Sequence, residues 1–212
     1  NLEIAPSGEK VIGLDPAQRG GDDATMLCRQ GGHILWIKRR RPMSQDASGE
    51  LAGWLIQEMI ENEVSRAYVD SIGAGIGVVD ACIRAGFPVY GINVSRPASQ
   101  KKRFVNLRTE LYWRIRDALK NSLLQLPDDD LLEADLITPK YTYDHLGRME
   151  LEDKRDIIKR INRSPDAGDA LSLTFMMDLT EVDPDTETNR YQDLQALSRW
   201  NAPRIAPIHI FN

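Results

Sequence analysis

Three features of the sequence predict an α/β fold. It opens with three short apolar segments joined by glycine-bearing turns. From residue 66 apolar and helical segments alternate, and later two strand-like segments flank a polar turn. Together they predict a mixed five-stranded sheet, three antiparallel strands followed by two parallel ones, flanked by helices and carrying an added β-hairpin. A chain of 212 residues is long enough for such a core.

The elements follow in order. Val11–Asp15, Thr25–Gln30 and His33–Arg39 are predicted strands, and Gly31-Gly32 between the last two makes them a hairpin. From Ser44 to Glu63 the period changes, with Leu51, Trp54, Leu55 and Met59 on one helical face. Arg66–Asp70, a helix from about Ile76 to Ala85, and Pro88–Ile92 then form a βαβ unit with a parallel pair. A basic loop leads to a helix over Val105–Lys120, whose buried stripe is Leu107, Leu111, Ile115 and Ala118, and a short helix is expected near Leu131–Asp135. Strand-like residues on both sides of Asp144-His145-Leu146-Gly147 predict the second hairpin, about residues 139–151, outside the main sheet. Ile157, Ile158 and Ile161 mark a short helix. Ala167–Leu179 is apolar almost all round and is expected to be a buried helix. The domain is thus expected to span residues 1–179. The acidic, Pro-interrupted stretch 180–212 reads as a loosely ordered or partner-binding tail.

Composition narrows the function. Lys and Arg number 27 against 32 Asp and Glu, a net charge of −5, which excludes a partner bound through bulk positive charge. A mean hydropathy of −0.41 and the lack of any run approaching the roughly 18–20 apolar residues of a membrane span describe a globular protein without membrane contact. NLEIAPSGEK lacks a signal segment and reads as a cut from a longer chain, so secretion is not expected. Cys28 and Cys82 are too few for a disulfide framework and lack metal-site spacing, so both are expected to be buried thiols and zinc is not the expected cofactor.

The chemical signal lies in carboxylates. Asp15 ends the first strand and Asp70 the fourth. In isolation either could merely begin a turn. On parallel neighbours, about 4.8 Å apart, two ionised carboxylates repel unless a cation separates them. In SPDAGDALSL, Ser164 reads as the N-cap, Pro165 as the first helical residue, and Asp166 as a residue favouring the helix N-terminus. Asp169 falls beyond the cap on an apolar helix, where a carboxylate needs a compensating partner. Three carboxylates without His or Cys favour Mg²⁺ or Mn²⁺, the ions of phosphate chemistry. Asp166 is a further candidate ligand. In Gly20-Gly21-Asp22-Asp23, Asp22 reads as a turn residue and Asp23 as a contact through water.

Other features are weaker. Gly73, Gly75 and Gly77 lack dinucleotide spacing, and read as small residues that let a phosphate backbone come close to Asp70. Of two basic clusters, Lys38–Arg41 and Arg96 with Lys101, Lys102 and Arg103, the second is the expected DNA track because it follows the fifth strand. Trp36, Trp54 and Trp113 read as core, so recognition is expected through phosphates with little sequence reading. His33 and His209 have no carboxylate or Cys nearby in sequence, and His145, at the tip of the second hairpin, reads as a surface turn residue.

VIGLDPAQRGGDDAT, YVDSIGAGIG and DKRDIIKRINRSPDAGDALSL in this order resemble the C-terminal nuclease domain of the large terminase subunit of tailed bacteriophages, over about Val11–Leu179. The resemblance implies a ribonuclease H-like fold and a metal-dependent DNA endonuclease. Such an enzyme cuts concatemeric viral DNA during packaging with two Mg²⁺ or Mn²⁺ ions. Carried over by motif, the metal-binding and catalytic aspartates fall on Asp15, bridging both ions, and on Asp70 and Asp169, each completing one. The implied partners are double-stranded DNA, an ATPase domain of the same full-length chain, the portal protein and the small terminase subunit, in the cytoplasm of an infected bacterium. No Walker A loop, G-x-x-x-x-G-K-[ST], occurs in these residues, so ATP-driven translocation is not expected of them. Where the family often has Ser-Lys, this chain has Asp153-Lys154, and Lys154 reads as a solvated helix-start lysine. Rival readings are another nuclease of the same fold (a junction resolvase or ribonuclease H), an actin-like ATPase half, and a non-catalytic portal-docking module.

Overall fold

A computed structural model of the chain describes residues 6–17 and 23–176. The expectations for Asp22, for His209, for the last residues of the final helix and for the tail lie outside the described residues. The main sheet holds β1 (Lys10–Asp15), β2 (Ala24–Gln30), β3 (His33–Arg40), β4 (Arg66–Asp70) and β5 (Val89–Ile92), ordered β3-β2-β1-β4-β5. β1 to β3 are antiparallel, and β4 and β5 run parallel to β1, as the sequence predicts.

Strand alternation sends successive side chains to opposite faces, and each face is covered by helices. Ile12, Leu14, Met26, Cys28, Ala67 and Val69 pack against α1 (Ala47–Glu61) and α2 (Gly75–Arg84). Val11, Leu27 and Tyr68 face α3 (Leu107–Lys120), α4 (Asp130–Ile137) and α6 (Asp166–Thr174) on the other side. The predicted stripes are buried at Leu51, Trp54, Leu55 and Met59 on α1 and at Leu107, Leu111 and Ile115 on α3, whereas Ala118, the last residue of the α3 stripe, is only partly buried. Carboxylate and amide caps start these helices, with Asp46 accepting from the Gly49 N–H at 2.8 Å and Asn106 from the Thr109 N–H at 2.9 Å.

The hairpin β6 (Tyr141–Tyr143) and β7 (Met149–Leu151) forms its own two-stranded sheet, joined to the body through a bridge between Phe104 and Met149. On α5 (Lys154–Ile161) only Ile157 of the three predicted isoleucines is fully buried, because the helix lies along the rim of the molecule. The start of α6 corrects the sequence reading. Pro165, not Ser164, is its N-cap, and no side chain of its own caps it. Asp135, from α4 and only 1% exposed, reaches across instead and accepts from the N–H groups of Ala167 at 2.9 Å and Gly168 at 3.2 Å. Among the described residues no helix is long and apolar enough to cross a membrane.

Candidate metal centre

The parallel pairing of β1 with β4 sets Leu14 beside Val69, so extending that register by one residue brings the ends of the strands, Asp15 and Asp70, side by side. Pro16 ends the first strand. Asp70 is fixed by its own turn, its Oδ1 accepting from the Ile72 N–H at 3.1 Å. The turn-starting reading of Asp70 is therefore met by this bond. Gly75 allows the next helix to begin there, since a Cβ at this position would stand 1.7 Å from the Asp70 carbonyl oxygen. Gly77 similarly meets Ser48. These two glycines are thus needed for packing inside the chain.

A second close approach places Asp169. Gly13 lies in the middle of β1, and a Cβ there would stand 2.0 Å from the Ala170 carbonyl oxygen. The absence of a side chain lets α6 press onto β1, so that Asp169, whose N–H makes a first-turn bond to the Pro165 carbonyl at 2.9 Å, faces the strand ends. Asp15, Asp70 and Asp169 consequently line one cleft of about 670 Å³, together with Arg108, Asn106, Glu152 and Lys154.

Lys154 overturns its sequence reading. It is the first residue of α5, but its ammonium is no solvated surface charge. Nζ lies 3.0 Å from Asp15 Oδ2, 3.0 Å from Asp169 Oδ2 and 3.4 Å from Asp166 Oδ1. Burial would release its proton, yet Asp169, Asp15 and Asp166 together hold its pKa well above the usual lysine range. Asp166 therefore does more than favour the start of its own helix.

The carboxylates are not equivalent. Asp15 is 7% exposed, and burial, reinforced by Asp169 and Asp166 and opposed by Lys154, pushes its pKa up to about 8. Burial also pushes Asp70 up, to about 6, against the Ile72 N–H that favours its ionised form. Asp169 goes the other way. Burial disfavours its charge, but Arg108 and Lys154 hold it below the usual carboxylate range. Arg108 Nε donates to Asp169 Oδ1 at 3.1 Å and the Tyr112 hydroxyl donates to the same oxygen at 2.8 Å. The partner that Asp169 needs on an apolar helix is thus supplied by protein cations and a phenol.

Arg108 and Tyr112 were not among the predicted site residues. They stand four apart on α3, so spacing puts them on one helical face, but it does not show that this face meets Asp169, 61 and 57 positions away. Asp23 is held by Arg41, with Nε 2.8 Å from Oδ1, and shares a shallow groove with Asp15 and Asp166. Of the predicted DNA track, Arg96, Lys101, Lys102 and Arg103 are exposed on the segment between β5 and α3, whose ends at Val94, Ser95 and Asn106 line the cleft. The other basic run is engaged internally, Lys38 with Glu58 and Arg39 with Asp129.

The donor set suits a hard cation. Only carboxylate and other oxygen donors surround the strand ends, with no Cys or His lining the cleft. Among the described residues no three His, Cys, Asp or Glu side chains form a ready-made cage. The Lys154 ammonium stands among Asp15, Asp166 and Asp169, where it compensates their charge.

Neither a family model nor a curated protein matches the chain. Solved structures do. The nuclease domain of the large terminase subunit gp2 of bacterial virus Sf6 is 20% identical over 82% of this chain and 90% of that one, with a TM-score of 0.65. The large terminase nuclease of thermophilic phage G20c is 12% identical over 81% of this chain and 84% of that one, with a TM-score of 0.60. Structures of these two domains include one of a mutant of the Sf6 domain with manganese and beta-thujaplicinol and one of the G20c domain with magnesium. At such identity the likeness establishes a shared fold. The ribonuclease H-like architecture that the motifs imply is the architecture this chain adopts.

Proposed function

We propose that the chain is a metal-dependent DNA endonuclease, the nuclease part of a packaging terminase, which cuts concatemeric viral DNA by two-metal-ion phosphodiester hydrolysis. The observation that carries this reading is the convergence of Asp15, Asp166 and Asp169 on one cationic point, in a cleft that also holds Asp70. The shared fold with phage nuclease domains, and the agreement of that fold with the motif resemblance, support it.

Asp15, Asp70 and Asp169 would hold the ions, with Asp166 at the edge. When bound, divalent cations activate a water for in-line attack and stabilise the leaving 3′ oxygen. The chain's own residues do the rest. Arg108 and Tyr112 fix one oxygen of Asp169, leaving Oδ2 turned toward Lys154. The Ile72 N–H orients Asp70. Lys154 keeps the carboxylates together as a charge-compensated group, and Arg108 stabilises the ionised form of Asp169 at neutral pH. The exposed Arg96, Lys101, Lys102 and Arg103 offer phosphate contacts outside the cleft.

Plasmid nicking in Mn²⁺ tests the reading. Parent protein converts supercoiled plasmid to nicked and linear forms, and Asp15→Asn abolishes this while leaving the circular dichroism spectrum unchanged. Full cleavage by Asp15→Asn removes the metal assignment. Linear duplex, a four-way junction and an RNA:DNA hybrid assayed side by side identify the substrate, with duplex DNA expected to be cut fastest.

A further inference from the structure

A row of aromatic rings runs from a small core out to the β6–β7 hairpin, and neither the fold nor the metal centre uses its outer end, Tyr141 and Tyr143. Phe104, Trp113, Tyr141 and Tyr143 follow one another, with ring centroids 6.1, 5.3 and 6.1 Å apart. The buried end, Phe104, joins Met149 and Ala98 in a small core. The open end does not: Tyr141 is 54% exposed and Tyr143 60%. Both tyrosines meet their neighbours edge to face, at 87° and 81°, so ring faces remain uncovered. An isolated two-stranded hairpin gains little by presenting large rings to water, so this surface calls for an occupant.

Cations frame the row. Arg116 Cζ lies 4.4 Å from the Trp113 ring centre, and Arg103 Cζ lies 5.9 Å from it and 4.9 Å from that of Phe104. Arg116 also pairs with Asp117 at 2.9 Å, whereas the Lys101-Lys102 turn beside Arg103 is exposed. The basic turn is tied to the hairpin by backbone bonds, the Met149 N–H donating to the Arg103 carbonyl at 2.8 Å and the Val105 N–H to the Met149 carbonyl at 3.0 Å. Rings and cations therefore form one surface.

That surface stands back to back with the metal centre. Tyr141 and Tyr143 point to one face of their strand, while Thr142 and Glu150, paired across the hairpin, line the cleft that holds Asp15, Asp70 and Asp169. Exposed rings beside cations held on the inner rings of the same row suit bases as well as phosphates, and stacking on rings needs bases that are not shut inside a duplex.

We propose that Tyr141 and Tyr143, flanked by Arg103, Arg116, Lys101 and Lys102, form a stacking platform for an unpaired DNA strand, a few nucleotides from the bond cut in the cleft. This rests on the nuclease reading for its biological sense, but not for its measurement. It also revises the expectation that binding involves phosphates alone, because the sequence reading weighed the tryptophans and passed over the hairpin tyrosines.

The test is fluorescence anisotropy in EDTA, where nothing is cut, with an oligo(dT) of about 12 nucleotides and a blunt duplex of the same length as probes. Tyr143→Ala is expected to weaken oligo(dT) binding about tenfold, and Tyr141→Ala with Tyr143→Ala further, with duplex affinity changed by less than about twofold. Tyr143→Trp, which keeps a stacking face, retains the parent affinity, so a fold defect in the alanine variants does not decide the matter. Unchanged oligo(dT) affinity in the alanine variants, an equal loss for duplex, or a Tyr143→Trp variant as weak as Tyr143→Ala would each overturn the platform. In the first case, sedimentation of parent and Tyr143→Ala shows whether a second copy covers the rings instead. A parent protein that binds oligo(dT) through Tyr143 but fails to nick plasmid in Mn²⁺ refutes the nuclease reading alone. One that nicks plasmid yet ignores Tyr143 refutes the platform alone.

Discussion

At the scale of the residue, the central fact is a lysine inside a group of aspartates. Removing one partner of such a group leaves charges that burial does not tolerate. Lys154→Ala is expected to lower metal-free stability by about 1–3 kcal/mol, a value reduced from the fully buried case because its side chain is 37% exposed. The melting temperature should fall by about 2–4 °C per kcal/mol, and Mn²⁺ should raise it more in the variant than in the parent, since the cation then replaces the missing ammonium. Equal Mn²⁺ shifts in both proteins would contradict this. Asp15 makes the complementary case. Its folded pKa of about 8 stands above the ordinary 3.8, so the native state holds this proton more tightly than the unfolded chain does. The resulting stability is complete below the unfolded value and is lost as pH rises through about 8. Metal-free Asp15→Asn is therefore expected to melt above the parent at about pH 9, with the advantage over the parent shrinking toward about pH 4. Melting curves over that range check the sign.

At the scale of the element, the site depends on how closely α6 lies on β1 and on what holds the start of α6. Gly13→Ala would put a methyl group against the backbone of Ala170, and overpacking of this kind costs about 1–3 kcal/mol or more. Because the displaced element carries Asp169, the variant should also lose its stabilisation by Mn²⁺, which differential scanning fluorimetry measures. Asp135→Ala removes the acceptor for two α6 N–H groups and is expected to cost about 1–2 kcal/mol, while Asp135→Asn, which keeps one acceptor oxygen, costs less. Equal losses for the two substitutions would assign the effect to the ion pair of Asp135 with Arg163 instead. These dependencies also show why parts of the site were hidden in the sequence. Asp15, Asp70 and Asp169 were legible because each stands where an element ends or where an apolar pattern is broken. Lys154, Arg108 and Asp135 were not, because each acts on an element distant in the chain. Lys154 reaches Asp15 across 139 positions, Arg108 reaches Asp169 across 61, and Asp135 reaches Ala167 across 32. Local spacing carries no record of such pairs. Ser164 shows the converse, a good local cap signal overridden by a carboxylate from another helix.

For the whole molecule, period and punctuation sufficed for the architecture. Alternating apolar strands with glycine turns, and a helix between each later pair, leave few ways to order five strands, and the sheet takes the expected one. The mixed sheet then places two parallel strand ends and the tip of α6 at one edge, which is how distant aspartates come together without any contiguous motif. The hairpin adds a wall whose inner face lines that cleft and whose outer face carries the tyrosines. The most direct test is a crystal soaked in Mn²⁺, with anomalous scattering mapped at the manganese edge. The account predicts peaks coordinated by Asp15, Asp70 and Asp169, with the Lys154 ammonium displaced from among them. Manganese bound elsewhere, with Lys154 still joined to Asp15 and Asp169, would contradict it.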